Sequence, residues 1–213
     1  MGSVTEPPRA SAPRRGFRRL SGLDRSGPLP RETRRGQPLR PFTVPNIVGY
    51  VRLAGIPVFL YLALSSGDGR TLAASAIFFA IAAGDYLDGF LARATGQYSR
   101  LGALLDPVID RLTVLAGVIV CWRFELLPRW ALVVLAAREL VTLVLGEIAL
   151  RRGIDIEINW VGRVAVLLTM GGIFWTLALD SWVGPALFLI GLALTVFATV
   201  LNIKAALRQT RQA

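Results

Sequence analysis

Six apolar stretches, each near the roughly 20 residues that cross the hydrocarbon core of a bilayer, leave this chain few alternatives. They fall at about 46–65, 72–93, 102–121, 129–150, 160–179 and 184–204. Turn-forming residues separate them: "SSGDGR" at 65–70, "TGQYSR" at 95–100, "RFELLPR" at 123–129, "RRGIDIEIN" at 151–159 and "DSWVG" at 180–184. The balance of residues agrees, because a 213-residue chain that is 54% hydrophobic and only 18% charged lies outside the usual range of soluble domains. The expectation is an all-α integral membrane protein of six transmembrane helices forming one compact unit. Trp130, Trp160 and Trp182 stand beside expected helix ends, where amphipathic rings favour the membrane interface.

Residues 1–42 have a different composition. They carry ten arginines against Glu6, Asp24 and Glu32, together with seven of the twelve prolines, and show almost no apolar periodicity. This predicts a disordered basic tail over 1–42, a helical domain over 43–205 and a short basic C-terminal tail over 206–213. The tail lacks the apolar core of a secretory signal. It also lacks an aromatic platform, so no nucleic-acid partner is expected. With the tail in the cytoplasm, 17 lysines and arginines fall on the inner side. Arg70, Arg123 and Arg129 fall on the outer side. The positive-inside rule therefore puts both termini in the cytoplasm.

Within this apolar frame, "GDYLDGFLARATGQYSRLGALLDPVIDR" (84–111) carries four aspartates. Asp85 and Asp88 are i, i+3; Asp106 and Asp110 are i, i+4. Each pair shares a helix face, and the two helices are consecutive. On the expected topology all four converge near the cytoplasmic interface. A carboxylate in the bilayer centre costs roughly 2.5–3.5 kcal/mol, so such a cluster needs a counter-charge. Histidine is absent and Cys121 is the single cysteine, which excludes the usual zinc sets, the histidine triads and an internal disulfide. What remains is a hard divalent cation with oxygen ligands, Mg²⁺ or Mn²⁺, and four carboxylates have capacity for two. Gly89 and Ala92 keep one face low for a flat ligand. Arg93, one turn from Gly89, offers a planar donor fork suited to phosphate.

The pattern Asp85-x2-Asp88-Gly89-x2-Ala92-Arg93-x8-Gly102-x3-Asp106-x3-Asp110 resembles, at every position, the signature of the CDP-alcohol phosphotransferases. The likeness extends over about 43–205 and includes Pro45-Asn46. It implies a six-helix membrane enzyme, usually a homodimer, that transfers the phosphatidyl group of CDP-diacylglycerol to an alcohol and releases CMP. Its site would face the cytoplasm of a bacterial plasma membrane. It also implies that Asp85, Asp88 and Asp106 hold two Mg²⁺ or Mn²⁺ ions with Asp110 close by, and that Asp110 is the base. Asn46, Asp88, Gly89, Ala92, Arg93, Ser99 and Gly102 would form the nucleotide and diphosphate site. Gly49 stands where many relatives carry Thr or Ser.

The acceptor is less constrained. "LDP" at 105–107 and "ARE" at 137–139 look like the phosphatidylglycerophosphate synthase branch, and Arg52, Arg111 and Arg163 are the cations available for the phosphate of glycerol 3-phosphate. The alternative is cardiolipin synthesis with phosphatidylglycerol as acceptor. A divalent-cation transporter explains the aspartates but not Gly89, Ala92 and Arg93, and no repeated half is visible. A non-catalytic relative would be expected to have lost an aspartate, and none is lost.

Overall fold

The computed structural model describes the backbone of residues 38–152 and 160–212, and side chains at 38–144, 160–201 and 203. The described residues form six α-helices and no strand: α1 (Val44–Leu64), α2 (Leu72–Thr95), α3 (Arg100–Arg123), α4 (Arg129–Arg152), α5 (Trp160–Ala178) and α6 (Val183–Gln212). Most of the basic tail, at 1–37, and most of the 151–159 break lie outside them. The helix bounds follow the six apolar stretches to within about two residues at nearly every end. The exception is α6, which continues to Gln212 through the basic residues expected as a tail.

The first three helices begin in the same way. Thr43 and Thr71 accept hydrogen bonds from the amides of Asn46 (3.4 Å) and Ala74 (3.1 Å). Ser99 accepts from Gly102 at 2.9 Å. Each hydroxyl satisfies an amide that the first helical turn leaves without an intrahelical acceptor. Pro45 adds a preset φ at the start of α1. α2 ends at Gly96, whose φ of 69° is the left-handed cap conformation that glycine adopts without strain.

α1 packs against α2, α3 packs against both, α5 and α6 form a tight antiparallel pair, and α4 touches α3 and α6. Phe59 of α1 and Phe78 of α2 meet with ring centroids 5.2 Å apart, in one buried core cluster with Ile109, Val120, Ile173 and Phe188. Between α5 and α6 the backbones approach closely at Gly172, where a Cβ would fall on the main chain of Phe188.

Among the described residues, four helices or helix segments are long and apolar enough to cross a membrane: α1, α2, α5 and the Val183–Leu201 part of α6. α3 and α4, at 24 residues each, are about 36 Å long by the standard rise. They are less apolar, because α3 carries Asp106, Asp110 and Arg111 and α4 carries Arg138 and Glu139. The latter two are ion-paired, and Arg138 Nε also donates to Thr199 on α6. Much of the outward surface is apolar, with Tyr61, Leu72 and Leu167 among its most exposed side chains.

The helices alternate in direction, so the start of α1, the end of α2 and the start of α3 share one end of the molecule. At the other end Arg70 bonds Thr176 O and pairs with Asp180, joining the start of α2 to the α5–α6 turn.

Candidate active site

Arg52 stands two turns inside α1 and organises the acidic end of the molecule. Its guanidinium is buried and reaches across to both neighbouring helices. Nη1 lies 2.7 Å from Asp88 Oδ2 and 3.6 Å from Asp85 Oδ1 on α2, and Nη2 lies 2.7 Å from Asp110 Oδ1 on α3. Nε donates to the main-chain oxygen of Ile81 at 2.9 Å. The planar fork thus bridges three carboxylates and one helix carbonyl, a geometry that an ammonium group cannot reproduce. Asp106 makes no ion pair within 4 Å among the described residues, yet it lies within electrostatic range of Asp85, Asp88, Asp110 and Arg52. The two helical spacings have brought all four aspartates to one place.

The counter-charge expected from a metal ion is supplied in part by the protein itself. Four ionised carboxylates facing one arginine leave a formal charge of −3. The donors are all carboxylate oxygens, which is the set that Mg²⁺ or Mn²⁺ takes. Burial divides the group. Asp88 is 5% exposed, whereas Asp85 and Asp110 are 51% and 46% exposed and open toward solvent. In the arrangement seen, no three acidic side chains among the described residues are gathered closely enough to ligate one ion without rearrangement. The donor chemistry fits a divalent ion, and the aspartates are held on Arg52 rather than on one another.

What makes room for Arg52 was not read from the sequence. A Cβ on Gly84 would lie 2.7 Å from Arg52 Cδ and 2.8 Å from Cγ, so the arginine stem crosses α2 where that helix has no side chain. Gly84 and Asp88 are one turn apart, i and i+4. That small-residue step on the aspartate face was the available clue.

Beside the cluster, Gly89 and Arg93 come together as their spacing predicted. A Cβ on Gly89 would sit 3.2 Å from Arg93 Nη1, so the guanidinium folds back over the glycine. Ala92 is half-buried on the same helix. Asn46, Ser99 and Gly102 form a separate knot. The Asn46 amide donates to Arg40 O and Pro41 O, both at 3.1 Å, and its oxygen accepts from the Ser99 hydroxyl at 2.9 Å. A Cβ on Gly102 would strike that oxygen at 2.7 Å. These contacts tie the segment before α1 to the first turn of α3, one helical turn ahead of Asp106.

The three arginines considered for an acceptor phosphate do not form one group. Arg52 is engaged by the aspartates. Arg111 donates to Pro107 O on its own helix at 2.8 Å, and its Nε is buried without a hydrogen-bond partner among the described residues. Arg163 is exposed near the start of α5.

Comparison with known proteins bears on this arrangement. The chain is 38% identical over 172 residues to the cardiolipin synthase (CMP-forming) of Streptomyces coelicolor, covering 76% of this chain and 78% of that protein. A putative cardiolipin synthase of Mycobacterium tuberculosis is 37% identical over 62% of the chain and 63% of its own length. The CDP-diacylglycerol–glycerol-3-phosphate 3-phosphatidyltransferase of Shigella flexneri is 31% identical over 176 residues, which is 78% of the chain and 95% of that protein. The sequence model of one family matches residues 42–199, which takes in Arg52, both aspartate pairs and five of the six helices in full. The chain belongs to the CDP-alcohol phosphatidyltransferase family.

Proposed function

We propose that this protein transfers the phosphatidyl group of CDP-diacylglycerol to an alcohol and releases CMP. The observation that carries the reading is the convergence of Asp85, Asp88 and Asp110 on Arg52, with Asp106 in range, beside the Gly89–Arg93 face. In this reading the catalytic unit spans about 43–205, which the family match over 42–199 supports.

In this reading Arg93 receives the diphosphate, and the low face at Gly89 and Ala92 lies against the cytidine. The Asn46–Ser99–Gly102 knot shapes the wall of that site. Asp110 takes the proton from the acceptor hydroxyl. The hydroxyl oxygen then bonds to the phosphorus of the phosphatidyl group, the bond from phosphorus to the CMP oxygen breaks, and CMP departs with that electron pair. Asp85, Asp88 and Asp106, with Asp110 close by, hold Mg²⁺ or Mn²⁺. Bound there, such ions offset the negative charge of the diphosphate. Phosphoryl transfer depends mainly on positioning and charge stabilisation, for which a carboxylate cluster on three packed helices is suited.

All six helices cross the plasma membrane in this reading, with both termini and the active site on the cytoplasmic side and the protein acting as a homodimer. The apolar outward surface supports insertion. The concentration of arginine at the sequence ends supports the orientation.

Phosphatidylglycerol is the acceptor best supported, giving cardiolipin. The relative at 38% identity is named for that product, and the three arginines considered for a second phosphate do not converge. Glycerol 3-phosphate is the second reading, supported by the Shigella flexneri relative, 95% of whose length aligns. Purified protein supplied with CDP-diacylglycerol and Mn²⁺ tests both. CMP release with phosphatidylglycerol alone supports cardiolipin synthesis, and release with glycerol 3-phosphate alone reassigns the product to phosphatidylglycerophosphate. No release with either, from folded protein, overturns the transferase reading.

A further inference from the structure

Arg52 stands among the aspartates, 2.7 Å from Asp88 and Asp110 and 3.6 Å from Asp85. Its three guanidinium nitrogens all have partners on the protein: Ile81 O for Nε, Asp88 and Asp85 for Nη1, and Asp110 for Nη2. The guanidinium closes the protein side of the cluster, while half-exposed Asp85 and Asp110 leave the other side open. The carboxylates are distributed around the fork, so no three of those described stand ready to ligate one ion. A divalent ion entering from the open side would meet oxygens already hydrogen-bonded to a positive group, and the two cations would repel each other at contact range.

We propose that Arg52 is an exchangeable internal cation, holding Asp85, Asp88 and Asp110 apart until a divalent ion enters and then giving up part of its carboxylate contacts. The proposal rests on the reading of the four aspartates as a metal site. Three structural features support exchange over a fixed ion pair. Only Asp88 among the three carboxylates is buried, so the contacts to Asp85 and Asp110 can be surrendered to solvent and ion without stranding a buried charge. The bond from Nε to Ile81 O gives the guanidinium an anchor that does not involve a carboxylate. Finally, four carboxylates exceed what one arginine neutralises, so the resting site retains a net attraction for cations. Because coupling between two ligands of one site is reciprocal, Arg52 lowers the affinity for the ion as much as the ion loosens Arg52.

The test is Mn²⁺ binding by the full chain in detergent without any substrate, with free Mn²⁺ counted by its paramagnetic resonance signal and thermal unfolding followed in parallel. For Arg52→Gln the expected result is Mn²⁺ binding tighter than in the unaltered protein by at least about fivefold, the lower end of typical coupling between sites. In EDTA this variant melts below the unaltered protein, and Mn²⁺ restores much of the difference. Equal or weaker Mn²⁺ binding by the folded variant overturns the proposal while leaving the metal reading intact. If no protein binds Mn²⁺, the unaltered one included, the metal reading fails and takes the proposal with it. Folding of Arg52→Gln only when Mn²⁺ is present supports exchange. If it folds under neither condition, Arg52→Lys decides. Lysine keeps the charge but cannot bridge Asp88 and Asp110 with two coplanar nitrogens, so its Mn²⁺ affinity must rise; unchanged or weaker affinity overturns the proposal.

Discussion

Arg52 Nη1 and Asp88 Oδ2 meet at 2.7 Å with both side chains almost wholly buried, at 3% and 5% exposure. A pair in that position holds α1 to α2 because neither charge has water to fall back on. Removing Asp88 takes away the one buried counter-charge of the guanidinium and leaves it only the half-exposed Asp110 and Asp85; breaking a buried pair typically costs about 3–5 kcal/mol. Asp88→Asn is therefore expected to lower the unfolding temperature sharply in detergent, whereas Asp85→Asn, at a half-exposed position 3.6 Å from the same nitrogen, should change it little. Thermal unfolding of the two variants side by side checks the contrast, and equal losses would contradict the assigned burial.

Gly84→Ala tests the same contact from the other side. The added methyl carbon would lie 2.7 Å from Arg52 Cδ and force the stem away from α2. Overpacking of this kind costs about 1–3 kcal/mol. The expected outcome is a reduced melting temperature, together with weakened Arg52–Asp110 contact and lower activity. An unchanged melting temperature would mean that the arginine has another route across the helix.

Asp110→Asn separates chemistry from folding. Asp110 is half-exposed, and loss of one ion pair there should cost little stability. As the proposed base, however, it supports turnover, and removing a general base typically lowers the rate about 10²–10⁴-fold. CMP release should fall by that order while CDP-diacylglycerol still protects the protein against unfolding. Near-normal turnover would remove Asp110 from its role.

Gly89→Val addresses the nucleotide face. A Cβ there meets only the far end of Arg93, at 3.2 Å, so the helix can accommodate the change by moving a flexible side chain. The prediction is a raised Michaelis constant for CDP-diacylglycerol with melting temperature nearly unchanged. A loss of stability with unaltered substrate affinity would make Gly89 a packing glycine.

Ser99→Ala removes both the cap of α3 and the hydroxyl that donates to Asn46. Loss of such a cap costs about 1 kcal/mol. Because the capped turn sits beside Asp106, the variant should also lower the affinity for Mn²⁺, measurable by the same resonance assay.

The helices were legible in the sequence because each has to satisfy its own backbone and present an apolar exterior along about 20 residues. Composition and turn residues record both demands locally. The same locality made the aspartate pairs readable: i, i+3 and i, i+4 fix a shared face whatever lies opposite, and Gly89 with Arg93 follows the same rule. The site's polarity, with the starts of α1 and α3 beside the end of α2, followed from short connections between antiparallel helices.

What the sequence by itself determined, then, is everything set by spacing along one helix: six helical segments, two aspartate faces and a low glycine face next to an arginine. What only the tertiary structure decided is which cation stands among the aspartates. Arg52 lies 33 or more positions from each of them in the chain, and its place inside the first apolar stretch marked it as a cation for an acceptor phosphate, not as the partner of the aspartates. Its partners are fixed by the packing of α1 across α2 at Gly84, where the absence of one side chain lets a guanidinium reach three carboxylates on two other helices. Contacts of that kind depend on the relative rotation and depth of three helices, quantities set by the packed core around Phe59 and Phe78 and by no single segment.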